Sequence, residues 1–198
     1  MRPISATISA GALRHNLSVA KHYAGGARLW AVVKANAYGH GLAYAVQALV
    51  AADGFALLEL DTAVRLRESG VARPLLLIEG FFDERELEAF SGNGLSAVVH
   101  NIEQVRMLEL SRHAAAVNVY LKINTGMNRL GFQPSEAARV LDRLRGCVSV
   151  GPITVMTHFA DADGPGGVAE PMRRLDATGI RGLPQSLANS AARLMTCS

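Results

Sequence analysis

Short apolar, β-branched runs recur along this chain, each separated from the next by a longer amphipathic stretch bounded by Gly, Pro or Asn. The runs predict strands over 29–33, 54–58, 74–78, 95–99, 117–123, 153–157 and 185–187, and the spacers predict helices over 41–52, 60–69, 84–90, 102–112 and 134–145. Asp61 or Thr62, Asp83, Asn101 and Ser135 are the expected helix caps. Strand and helix alternate without adjacent hairpin signals, which predicts an α/β fold on a parallel sheet. Pattern fits both an open doubly wound sheet and a TIM-like (β/α) barrel. About seven strands are visible where a closed barrel needs about eight, so a barrel is expected to be incomplete. The N-terminal stretch departs from the alternation: Ala6, Ile8 and Ala10 suggest a short strand, and 12–23 a first helix. The glycine-rich stretch 164–167 reads as a solvent-exposed connection.

A chain of 198 residues that is 49% hydrophobic has the material for one core, and 1–198 is read as one domain. Cys147 and Cys197 have neither the number nor the spacing of a disulfide framework or zinc site, which points to a reducing, cytoplasmic home. No apolar run reaches membrane-helix length, and the opening MRPISATIS lacks the order of a signal peptide. A net charge of +3 invites a nucleic-acid reading, but the basic residues are scattered and aromatics make up only 6%. Neither nucleic acid nor membrane is therefore expected as a partner. Lys21, Lys34 and Lys122 are the only lysines among 20 basic residues, so each stands where arginine is the default cation.

Four segments carry candidate chemistry, and all fall just beyond predicted strands. AVVKANAYGHG sets Lys34 at a strand end, where lost solvation favours the neutral, nucleophilic amine, with Tyr38 close behind. An isolated lysine of this kind snorkels to solvent more often than it reacts, and the polar residues behind Lys34 are what distinguish it. LKINTGMNRLGF sets Lys122 at another strand end and Arg129 beyond a glycine turn. Two such cations cannot be buried together without compensation. Either one is exposed, an anion lies between them, or Lys122 is chemically neutralised. THFA places His158 after a strand, and LANSAA places Asn189 and Ser190 at a helix start, where they cap the helix or receive a phosphate. No metal-ligand motif, Walker loop, GxGxxG turn or nucleophile elbow is present.

At these four segments, in this order, the chain resembles the N-terminal domain of bacterial alanine racemase, over about residues 4–192. The resemblance implies a TIM-like barrel that binds pyridoxal 5'-phosphate and interconverts L- and D-alanine by proton transfer on both faces of Cα. It implies that Lys34 is the Schiff-base lysine and one base, and that Tyr38, Asn189 and Ser190 lie on the phosphate side. His158 is implied beside the pyridine ring. Lys122 is implied to be carbamylated and to orient Arg129, which meets the cofactor's phenolic oxygen and the substrate. The second base is implied to be a tyrosine of the partner's C-terminal β-domain, in a homodimer.

After ANSAA the residues 193–198 leave the family pattern. The expectation is thus a shortened racemase, lacking the eighth strand and the β-domain, with exposed sheet edges that favour aggregation. A single-domain pyridoxal-phosphate carrier, whose motifs fit less well, and an inactive remnant are the alternatives.

Overall fold

Strand order decides between the open sheet and the barrel. The computed structural model describes residues 3–111 and 116–195, and its seven strands form one parallel sheet in strict chain order. These are β1 (Trp30–Val32), β2 (Gly54–Leu57), β3 (Leu75–Leu77), β4 (Leu95–Val99), β5 (Val117–Lys122), β6 (Val150–Met156) and β7 (Gln185–Ser186). Crossovers between parallel strands are right-handed, so an order that never reverses sends every connecting helix to the same face. A doubly wound sheet needs a reversal. The opposite face, with no helices to cover it, is buried by curling the sheet on itself.

The helices are α1 (Ala10–Ala24), α3 (Leu42–Ala48), α4 (Leu60–Glu68), α5 (Glu86–Gly92), α6 (Ile102–Leu110), α7 (Ala137–Arg145), α8 (Ala169–Asp176) and α9 (Ser190–Met195). Between β1 and α3 lies α2 (Lys34–Tyr38), whose backbone turns left-handed. Asn101 caps α6 as expected, its Oδ1 accepting from the Gln104 N–H at 2.9 Å. The other three expected caps are displaced. Asp61 and Thr62 lie inside the first turn of α4, Asp83 Oδ1 accepts from the Arg85 N–H ahead of α5, and Glu136 stands at the start of α7 where Ser135 was expected. The expected N-terminal strand does not form. Its alternation of two alanines about one isoleucine offers little apolar surface, and Ser9 instead caps α1, accepting from the Ala12 N–H. The Tyr44 hydroxyl then pins the entry by donating to the Ile8 carbonyl and accepting from the Ala10 N–H, each at 3.0 Å. Helix α8 was not expected, since it buries only Leu175. Cys197 lies outside the described residues, and Cys147 is a buried free thiol.

Alternate strand residues serve two cores. Leu57, Leu77, Val99 and Leu121 face the helices within the larger one. Ala56, Leu76 and Val98 face inward, with Trp30, Ile78, Tyr120 and Met156 packed on them. The Trp30 and Tyr120 rings meet edge to face, 5.9 Å between centroids and 82° between planes. They stand on β1 and β5, four strands apart, which in a flat sheet would separate them by about 19 Å. Their contact is a direct measure of the curl, giving an incomplete TIM-like barrel in which β1 and β7 each pair on one side only. Near the starts of β3 and β4, the Arg67 guanidinium donates to the carbonyls of Val71, Arg73, Asn93 and Gly94, which ties the loops at the amino end of the barrel. Among the described residues no helix is long and apolar enough to cross a membrane.

Gly54 leaves the space that Trp30 occupies, because a Cβ there would stand 2.2 Å from the indole Cζ3. Gly54→Ala should therefore push the ring off Tyr120, at a cost of about 1–3 kcal/mol. Trp30 is the only tryptophan. Its emission should shift together with a lowered unfolding midpoint, and an unchanged spectrum would contradict the packing described.

Candidate functional site

Every candidate residue named from sequence stands at the carboxyl ends of the strands, the end at which barrels of this kind build their sites. The local backbone explains why. Directly after Lys34, residues Ala35, Asn36, Ala37 and Tyr38 all have φ between 51° and 54°, one turn of left-handed helix. Such a conformation costs about 1–2 kcal/mol per residue bearing a Cβ. A dense set of hydrogen bonds holds it. The Ala37 N–H donates to the Val33 carbonyl at 2.9 Å, the Gly39 and Gly41 N–H groups donate to the Asn36 carbonyl, and the Asn36 Oδ1 accepts from the Leu42 N–H at 2.8 Å. Ala37 is buried beneath the turn. Backbone strain of this size, held by its surroundings, clusters at functional sites. Lys34 is half-buried at its start, and Tyr38 is 60% exposed at its end.

The second segment folds back on its own strand. The Phe132 N–H donates to the Lys122 carbonyl at 2.9 Å, and the Asn124 N–H donates to the Phe132 carbonyl at 2.8 Å. Asn124 Oδ1 accepts from the N–H groups of Gly126 and Asn128, which shapes the loop between. Gly131 closes it at φ 117°, where a Cβ would stand 2.8 Å from the Asn124 nitrogen. Inside, the Thr125 and Thr157 hydroxyls meet at 2.7 Å, and Thr157 donates to the Ile123 carbonyl at 2.9 Å. This buried pair registers the Arg129 loop against the end of β6, one residue before His158.

The desolvation expected at Lys34 falls on Lys122. Lys122 is 8% exposed, and burial together with the Arg129 charge lowers its pKa from the ordinary lysine value. Arg129 is exposed, so of the alternatives open for this pair the first is met. Among the described residues no carboxylate forms an ion pair with Lys34, Lys122 or Arg129. His158 is half-buried, and its pKa is lowered first by burial and then by the charges of Lys122, Arg129 and Lys34. These four groups therefore share one positive basin, in which, among the described residues, no carboxylate pairs with a lysine or arginine.

Asn189 joins the basin through the backbone. Its amide donates to the Phe159 carbonyl at 2.9 Å, while its Oδ1 accepts from the Ala192 N–H, so it caps α9 and tethers it beside His158. Ser190 is exposed at the first position of α9. Neither Tyr38 nor Ser190 is drawn into the four-residue group. Sequence reading missed His100, which follows β4 as His158 follows β6 and is lowered in pKa by burial and by Lys122. The run Ala97-Val98-Val99-His100 carries the same signal as the run ending in Thr157-His158.

Comparison with known proteins finds relatives along nearly the whole chain. Residues 8–196 match the family described as alanine racemase, N-terminal domain. An alanine racemase of Burkholderia mallei is 53% identical over 195 residues, covering 98% of this chain and 54% of that protein. The catabolic alanine racemase of Klebsiella aerogenes is 49% identical with the same coverage. The crystal structure of the biosynthetic alanine racemase from Pseudomonas aeruginosa superposes with a TM-score of 0.88 at 38% identity, covering 98% of this chain and 55% of that one. The chain spans about half the length of the curated relatives it matches.

Two outcomes follow from the strain and from the histidines. Ala35→Gly relieves a left-handed residue and should raise the unfolding midpoint, whereas Ala138→Gly, on the exposed face of α7, should cost about 0.5–1 kcal/mol. Equal losses at both positions would refute the strain argument. His100 and His158 have lowered pKa values when folded. Their contribution to stability is thus complete above the ordinary histidine value of about 6.5 and is lost as pH falls through the folded values. Thermal midpoints measured from pH 7.5 down to 5 should fall, and His158→Gln should flatten the fall.

Proposed function

The chain belongs to the alanine racemase N-terminal domain family, and on that premise we propose that it is the cofactor-bearing barrel of a pyridoxal 5'-phosphate-dependent racemase acting on L- and D-alanine. The observation that carries the reading is the basin itself: Lys34, Lys122, Arg129 and His158 converge without a carboxylate partner among the described residues. A phosphorylated, phenolate-bearing aldehyde has the charge and the functional group that this set can hold. When bound, pyridoxal phosphate supplies a carbonyl that condenses with amines and a ring that draws electron density from the substrate's Cα.

In this reading Lys34 is the amine that holds the cofactor covalently and the base on one face of Cα. The left-handed turn fixes its backbone, and edge strand β1 gives its side chain access. His158 stands beside the ring, held toward its neutral form first by burial and then by three surrounding cations. An imidazole in that state offers a hydrogen bond without adding charge to a basin that already has an excess. Arg129 contacts the phenolic oxygen and the substrate side. Tyr38, Asn189 and Ser190 serve the phosphate, and Asn189 does so by holding α9 in place.

Lys122 is the candidate for carboxylation by dissolved CO2. That modification turns the buried cation into an anion able to pair with Arg129, and it removes the Arg129 repulsion that adds to burial in lowering the pKa of Lys122. Proton exchange on both faces of Cα requires a second group opposite Lys34. The family resemblance assigns that group to a tyrosine of the partner subunit, so the proposed unit of activity is a homodimer. A cytoplasmic setting and a supply of D-alanine for peptidoglycan fit the same reading.

Incubation with pyridoxal phosphate, borohydride reduction and peptide mapping should place the label on Lys34. With only three lysines in the chain the assignment is direct. A label on Lys21 or Lys122, or none, would overturn the reading. D-alanine formation assayed on the same sample separates a racemase from a protein that holds the cofactor without turnover.

A further inference from the structure

We infer that His100 is a positioning residue for Lys122, receiving on its Nδ1 the proton that Lys122 releases when its amine is carboxylated; this rests on the reading of Lys122 given above. The β4–β5 ladder pairs Val98 with Tyr120 and Val99 with Leu121, and one further step along the same register sets His100 beside Lys122. The imidazole is held in one orientation. Its Nε2 lies 3.0 Å from the Glu79 carbonyl, and because a carbonyl only accepts, Nε2 carries the proton. The neutral ring therefore leaves Nδ1 unprotonated, where it accepts a long hydrogen bond, 3.5 Å, from the Asn101 amide. The His100 N–H donates to the Gln104 Oε1 at 2.8 Å, and the buried Gln104 amide donates to the carbonyls of Glu79 and Phe81. Two loops and a helix thus brace one half-buried ring at the edge of the basin.

The charged groups facing His100 are Lys122 from β5 and Glu79 from the loop after β3. While Lys122 is a cation, it and burial hold the imidazole pKa below the ordinary value. Carboxylation reverses the sign of that neighbour. Once the ammonium has given one proton to solvent, the Lys122 Nζ lone pair forms an N–C bond to CO2, one C=O π pair moves onto oxygen, and the second proton passes from Nζ to Nδ1 of His100. Amine, CO2 and imidazole become a carbamate anion and an imidazolium, with no change in net charge. The imidazolium then faces the carbamate from the β4 side. This leaves the carbamate charge-balanced in a place where water has little access.

The 198-residue chain in ¹³C-bicarbonate tests this by ¹³C NMR. A carbamate resonance should appear, vanish in Lys122→Arg and be several-fold weaker in His100→Gln, which retains a donor for the Glu79 carbonyl. In the unsubstituted chain, the ¹³Cε1 titration of His100 should move to higher pH when bicarbonate replaces CO2-free buffer. That second measurement requires no variant to fold. A carbamate on Lys122 of equal strength in His100→Gln, or a His100 titration indifferent to bicarbonate, would overturn the role of His100 while leaving Lys122 carboxylation standing. Absence of any Lys122 carbamate would overturn both, and neither result bears on the Lys34 label.

Discussion

Right-handed crossover is the constraint from which the rest of this structure follows. Seven parallel strands laid down in chain order, each reached by the same hand of connection, place every helix outside and leave an inner face with nothing to cover it. The inner face solves this by curling, and Trp30 and Tyr120 meet across the curl. The same geometry aligns every strand's carboxyl end on one rim. Loops that are far apart in sequence are then neighbours, and residues as distant as Lys34 and His158 act on each other electrostatically.

Within that rim the centre and the edge of the sheet treat their lysines differently. Lys122 ends a central strand flanked on both sides by β4 and β6, and burial works directly on its charge. Lys34 ends β1, which pairs on one side only, and is correspondingly more open. The chain meets that openness with stiffness, for the left-handed turn fixes the backbone beneath Lys34 through hydrogen bonds to Asn36 and Val33. One lysine is thus conditioned by its environment and the other by its backbone. In the proposed function, where Lys34 admits a cofactor and a substrate, the second arrangement is the favourable one, since deep burial would close the way in.

The elements were legible where a local pattern had a large apolar surface behind it. Strands β2 to β6 were readable because each contributes buried β-branched or leucine side chains to one of two cores, whereas β1 buries only Ala31 and β7 buries neither of its residues. Helix α8 was not readable, because it fully buries a single leucine, and the N-terminal strand was wrongly expected from an alternation of small residues. The four motifs come together on one rim because each sits at a strand end. Their division of labour was not legible. Burial at Lys122 depends on strands β4 and β6, which lie far from it in sequence, and His100 carried the same local signal as His158 without a motif around it. The left-handed turn was also hidden, since Ala-Asn-Ala-Tyr has no glycine to announce four positive φ angles.

That no carboxylate among the described residues forms an ion pair with Lys34, Lys122 or Arg129 is the most informative feature of the basin's electrostatics. Elsewhere on this molecule arginines find acidic partners readily: Arg143 with Glu109, Arg106 with Glu103, Arg174 with Glu170. The chain therefore pairs its cations on the surface and leaves them unpaired at the rim, where burial makes the omission costly. Two imidazoles, His100 and His158, stand beside these cations, and both are held toward the uncharged form, first by burial. A neutral imidazole screens nothing, so the positive potential stays available to a ligand. It also keeps a lone pair in reserve, and can take up a proton once an anion arrives. The histidines thus leave the basin positive while it is open and let its charge adjust when an anion is in place, which a fixed carboxylate could not do.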